Sequence, residues 1–223
     1  MFENNVAVRT KMEPTFFGKV MTFFALAVLC SAAGVYVTMH YFMQYFIQTP
    51  QLIYVLFVVE LIMIFTSRLW SKKIPLNCVM FAAFTFITGV TIAPLIAVLA
   101  ASSAGSTILM QALLATGLMF TATAIIGWTT HYDLSGMRGF LFMTLIGMII
   151  VGVIGIFIPW GSTMEIVYSG IGVILFAGYT MYDIQRLKQY PEDMYIEAAL
   201  ALYLDIFNLF LYILRLIMSL NRR

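Results

Sequence analysis

Hydrophobic residues run along this chain in seven long stretches, at roughly 20–47, 51–69, 75–100, 107–128, 139–159, 165–185 and 196–220, parted by short polar breaks. About 20 apolar residues make a helix long enough to cross the hydrocarbon core of a bilayer. The pattern therefore predicts an all-α integral membrane protein, a bundle of seven transmembrane helices. Most of the stretches are apolar on every side and give no rotational phase. The last one does give it: positions 197, 201, 205, 208, 212 and 215 are spaced 4, 4, 3, 4 and 3 apart and share one helix face. That face carries Glu197, Ala201, Asp205, Asn208, Tyr212 and Arg215, opposite an aliphatic side of Leu200, Leu204, Leu211 and Leu214. Lipid cannot satisfy a continuous polar stripe, so the stripe must meet other helices or line a wet pathway. The last helix is expected to be central, with Glu197, Asn208 and Tyr212 along an ion pathway. The plainer alternative is that Asp205 and Asn208 only bond neighbouring helices.

Carboxylates at membrane depth are costly, by roughly 2.5–3.5 kcal/mol on insertion scales, and tend to mark working sites. Asp205 is one and Asp183, at the end of the sixth stretch, is another. Tyr179, Asp183 and Arg186 fall at i, i+4 and i+7, so Asp183 has the alternative of a surface ion pair worth about 0.5 kcal/mol. Glu60, alone in the second stretch, reads either as part of an ion pathway or as a protonated carboxyl bonded between helices.

Composition agrees with the class: 62% of the 223 residues are hydrophobic and 10% charged, against ~45–50% and ~25% in soluble domains. What remains divides into a cytoplasmic tail, 1–18, and a transmembrane domain, 19–223. A net charge of +2, with no basic stretch interleaved with aromatics, argues against nucleic acid as a partner. Cys30 and Cys78 fall within spans and read as small packing groups. Lys11 and Lys19 ahead of 21–30 imitate a signal peptide, but the apolar run continues too long, and Leu29 spoils a lipoprotein site at Cys30. Pro94 is expected to kink the third helix. Gly147, Gly152 and Gly155, with Gly170, Gly172 and Gly178, are expected to permit close backbone approach. Thr85, Thr88 and Thr91 suit interhelical hydrogen bonds. His40 and His131 form no ligand set, so no resident cofactor is expected.

Assigning alternate loops to the two sides puts Arg9, Lys11, Lys19, Arg68, Lys72, Lys73, Arg138, Arg186 and Lys188 with the N-terminus, and Arg215, Arg222 and Arg223 opposite. By the positive-inside rule the N-terminus is cytoplasmic. The three dissenters leave two topologies, seven spans or six plus a re-entrant last segment; the length of 196–220 favours seven.

Gly178-Tyr-Thr-Met-Tyr-Asp183 and Ala198-Ala-Leu-Ala-Leu-Tyr-Leu-Asp205-Ile-Phe-Asn208-Leu-Phe together resemble the signature of the Bax inhibitor-1 family, the transmembrane Bax inhibitor motif proteins. The resemblance implies a seven-helix bundle whose last helix is enclosed by the other six. It implies also a bacterial inner-membrane protein acting as a pH-sensitive calcium leak channel, whose partners are the bilayer, protons and Ca²⁺ as the permeant ion, with a membrane protease or other membrane protein as a further candidate. On this resemblance the pH sensor is the pair Asp183 and Asp205, near the cytoplasmic end. Two carboxylates sharing a low-dielectric site cannot both ionise cheaply, so one keeps a proton. The family's locking arginine lies near the cytoplasmic end of the second helix. Arg68 is the nearest arginine, although alignment on Glu60 puts Ser71 at that position. Arg68 could equally be a snorkelling interfacial charge. Because Ca²⁺ prefers oxygen ligands, Asp183, Asp205 and Glu60 are the candidates for transient contact.

Two other functions compete. Tyr182-Asp183 and Asp205 resemble the two aspartates of intramembrane proteases, but Asp205 follows Tyr203-Leu204 rather than Gly-x-Gly, and no Pro-Ala-Leu follows. The chain is expected not to be an enzyme. The other alternative is a regulator that restrains a membrane quality-control protease, with the tail 1–18 as its free cytoplasmic segment.

Overall fold

The computed structural model describes residues 14–221, and every regular element within them is helical. Residues 1–13 of the expected tail, with Arg9 and Lys11, and the terminal Arg222 and Arg223 lie outside the described residues. Helix α1 (Pro14–Val37) passes through one wider turn, Thr38–Phe42, into α2 (Met43–Gln48). There follow α3 (Leu52–Phe65), α4 (Ser67–Trp70), α5 (Leu76–Ala100), α6 (Gly105–Thr129), α7 (Met137–Phe157), α8 (Ser162–Arg186) and α9 (Tyr195–Asn221). Six of the described helices, counting α1 with its continuation, are long and apolar enough to cross a membrane. The chain is a multi-pass membrane protein.

The second apolar stretch departs from a single long helix. Its backbone breaks at Thr66 (φ −91°, ψ 1°), whose Oγ1 donates to the Ile62 carbonyl at 2.6 Å. Such back-bonding competes with the helical ladder. The resulting α3 has 14 residues, about 21 Å at 1.5 Å per residue. Pro94 lies inside α5, which continues past it to Ala100.

Helix α9 packs chiefly against α8, α6, α1 and α5. Ile196, Ala198, Ala199, Leu202, Tyr203, Leu209 and Leu214 are each at most 1% exposed, so α9 is buried on more than one side. By contrast Phe57, Leu118, Phe142 and Ile150 on α3, α6 and α7 are more than half exposed, apolar surface of an extent that suits lipid rather than water. The tight crossings lie at unexpected glycines. Gly34 abuts the Phe86 carbonyl and Gly89 the Ser31 carbonyl where α1 crosses α5, and Gly127 abuts the Met181 backbone where α6 crosses α8. Of the glycines expected in this role, Gly147 and Gly170 face open space, while Gly152, Gly155, Gly172 and Gly178 meet side chains.

One end of the bundle gathers the start of α1 and three connections. Phe16 stacks on Tyr190 with centroids 6.5 Å apart, and Lys72 pairs with Asp193 at 2.9 Å. Lys188 Nζ donates to the Trp128 carbonyl at 2.6 Å and Gln185 Nε2 to the Tyr132 carbonyl at 2.7 Å. At the other end Ser219 Oγ donates to Glu165 Oε2 at 3.0 Å, tying the end of α9 to the start of α8.

Candidate functional site

Helices α8 and α9 run against each other, and their shared seam carries Asp183, Asp205 and Tyr212 of the predicted site. Asp183 lies one turn before the end of α8 and is 8% exposed; Asp205, in the middle of α9, is 4% exposed. The two are close enough for their charges to act on each other. Asp205 Oδ2 is buried without a hydrogen-bond partner among the described residues. A buried polar atom left unpaired costs about 1–3 kcal/mol, more when charged, so such an atom needs an explanation.

Arg186, one turn on from Asp183, is close enough for its charge to act on that carboxyl. Its guanidinium also lies over the Tyr190 ring, 4.8 Å from the centroid. Tyr179 is within electrostatic reach of both aspartates, and Tyr190 of Asp183. Arg68, by contrast, is exposed on α4 and makes no hydrogen bond or ion pair among the described residues. The spacing of Asp183 and Arg186 on one helix was visible in the sequence, as was the alternative of Arg68 as an interfacial charge.

Away from the pair toward Ser219, the seam closes on aromatic groups. Tyr212 lies on the bare backbone of Gly172 and stacks on Phe176 at 5.6 Å. Its hydroxyl is 3.4 Å from that of Tyr168, which donates to the Met148 carbonyl at 2.9 Å. The Arg215 guanidinium stands 5.2 Å from the Tyr168 ring and 5.4 Å from that of Trp160. A cavity of about 340 Å³ opens beyond, lined by Leu95, Glu165, Leu214, Arg215, Met218 and Ser219. Asn208, half-buried on the same stripe, donates to the Leu204 carbonyl of its own helix at 2.8 Å.

Two predicted residues stand apart from the pair. Glu60 is 9% exposed and accepts from Thr91 Oγ1 at 2.6 Å, linking α3 to α5. It neighbours a second polar group, in which Tyr203 of α9 is hydrogen-bonded to Thr88 and to Ser31. Thr88 and Thr91 thus make the interhelical bonds expected of them. Glu197 accepts from Ser71 Oγ at 2.6 Å. Among the described residues no three His, Cys, Asp or Glu side chains come together, so Glu60 does not join the aspartates in a three-donor set.

Charges outside the membrane are ordinary surface devices. Asp133 accepts from the Ser135 N–H and hydroxyl, which holds its carboxyl below the usual range. The bond to Asp193 holds the Lys72 ammonium above its usual value.

A family model described as inhibitor of apoptosis-promoting Bax1 matches residues 13–223. The chain is 32% identical over 222 residues to the uncharacterized protein Cj0236c of Campylobacter jejuni, spanning 100% of this chain and 94% of that protein. It is 34% identical over 172 residues to the BI1-like protein of Arabidopsis thaliana, 76% of this chain and 66% of that one. To the inner membrane protein YbhL of Escherichia coli it is 33% identical over 167 residues, 70% of this chain and 69% of that one.

Proposed function

The chain belongs to the Bax inhibitor-1 family, and on that premise we propose that it is a proton-regulated cation leak in the inner membrane, with Ca²⁺ as the permeant ion. The observation that carries the reading is the buried Asp183 and Asp205 pair with Asp205 Oδ2 unpartnered. A proton held between the two carboxyls would satisfy that oxygen and join α8 to α9. With one shared proton the pair bears a single negative charge and a bridging hydrogen bond. Removing that proton sets two like charges face to face, and adding a second removes the charge that strengthens the bridge. Either change loosens the contact, which makes the seam a two-state element.

In this reading α9 is enclosed by its neighbours and Arg186, rather than Arg68, is the cation that steadies the pair. The stripe through Asn208 and Tyr212 supplies oxygen atoms along the path, as a hard cation requires. Proteolysis is not proposed, because Asp205 sits within the unbroken helix α9, with no opened backbone beside it for a substrate strand. The test is Ca²⁺ flux into liposomes holding the full chain, recorded from pH 5 to 8. Flux is expected to vary with pH, and Asp183→Asn and Asp205→Asn are each expected to flatten that dependence. Flux left unchanged by both substitutions would sink the reading.

A further inference from the structure

We propose that the segment after α4, residues 71–77, and the start of α9, residues 193–197, form a clasp that holds the last helix in its closed position. Three successive side-chain bridges join the two segments. Ser71, 1% exposed, donates from Oγ to Glu197 Oε1 at 2.6 Å. Lys72 Nζ meets Asp193 Oδ2 at 2.9 Å, and Asn77, also 1% exposed, donates from Nδ2 to the Tyr195 hydroxyl at 3.1 Å. Trp70, 4% exposed, anchors the near end of the segment in the core. A connection that only needed to turn the chain would not require three bridges to one remote helix start.

The clasp acts at a distance because α9 is continuous from Tyr195 to Asn221. Glu197 and Asp205 are eight residues apart on one face, so a shift of the first turn is carried to Asp205 by a rigid rod. Glu197 therefore serves as a positioning residue for the aspartate pair, not as part of the sensor. The ion pair supports this separation of roles. Lys72 is held above its ordinary value of 10.5 by Asp193; that contribution is complete below the ordinary value and is lost only as pH rises through the raised one. An ordinary Asp carboxyl ionises near pH 3.9, so the bridge stays charged from pH 5 to 8.

The inference rests on the leak reading, and two measurements keep the two distinguishable. Hydrogen exchange on the full chain in lipid reads whether α9 is held, whatever the protein transports; liposome flux reads whether the hold matters. Ser71→Ala is expected to speed exchange at the amides of 195–200 by about 3–10-fold, the range for one lost hydrogen bond, and to raise Ca²⁺ flux by a similar factor. Ser71→Thr, which keeps the hydroxyl, is expected to restore both. Reversing the ion pair in Lys72→Glu is expected to raise the flux at every pH without moving the pH at which it changes, and Lys72→Glu with Asp193→Lys to bring it back. Unchanged exchange in both Ser71→Ala and Lys72→Glu overturns the clasp. Faster exchange with unchanged flux overturns its link to the gate. If the wild-type chain carries no flux at all, the leak reading fails and exchange alone decides the clasp.

Discussion

At the scale of single residues, the α8–α9 seam depends on Gly172 as much as on its charged groups. Tyr212 places its ring where a Cβ on Gly172 would stand, and the same ring stacks on Phe176 and reaches Tyr168. The atoms in the way are the stiff root of the ring, which has few rotamers to escape into. Gly172→Ala should therefore push Tyr212 out of the seam and cost about 1–3 kcal/mol, as overpacking does. The pairing of the two sites makes this specific: Gly172→Ala with Tyr212→Ala should recover most of the loss, because the two act through one contact. Thermal unfolding in detergent for the two single variants and the double variant measures the coupling, and additive losses would show that Tyr212 does not press on Gly172.

Among whole elements, the crossing of α1 on α5 is set by Gly34 and Gly89, each against a carbonyl of the other helix. A methyl at either position meets backbone, which cannot rotate away. Gly34→Ala and Gly89→Ala should each lower stability by about 1–3 kcal/mol. Gly147→Ala and Gly170→Ala, facing open space, should be neutral or gain up to ~1 kcal/mol of helix propensity. Melting temperatures for the four variants decide between these assignments. The contrast also explains what the sequence could not convey. Helix existence is legible from apolar length, and the phase of α9 from its polar stripe, because Asp205, Asn208 and Tyr212 mark one face. In α5 the series Thr85, Thr88 and Thr91 hints at one inward face, but nothing in the sequence says which glycine meets which backbone, and glycine count misleads. Arg186, by contrast, is legible beside Asp183 from their spacing on one helix. The Ser71–Glu197 bond joins residues 126 positions apart, with no local pattern to signal it.

For the whole molecule, six of the described helices are long enough to cross a membrane, and the expectation of seven crossings turns on α3 with α4 and on the course of α9. Phe16 at the start of α1, Lys72 after α4, Tyr132 after α6 and Asp193 before α9 are gathered at one end by their contacts. Ser219, near the far end of α9, bonds to Glu165 at the start of α8, while the other end of α8 holds Gln185 against Tyr132. Helix α9 thus leads away from the end where it begins, the course expected of a seventh span. Helices α3 and α4 hold 14 and 4 residues on either side of the break at Thr66, about 27 Å of helical rise in sum against the ~30 Å of hydrocarbon, and they lead to Ser71. The assignment of alternate loops puts nine of the 12 Lys and Arg side chains with the N-terminus, and the positive-inside rule then expects that end to be cytoplasmic. Single cysteines introduced as Thr49→Cys, Gly161→Cys and Asn221→Cys, with Cys30 and Cys78 replaced by alanine, should react with an impermeant maleimide added outside intact cells. Lys73→Cys and Tyr132→Cys should react only after permeabilisation. If Asn221→Cys labels together with Lys73→Cys, the last segment returns to the cytoplasm. If instead Thr49→Cys does so, α3 and α4 do not cross, and the ion path along α9 must be drawn with one wall fewer.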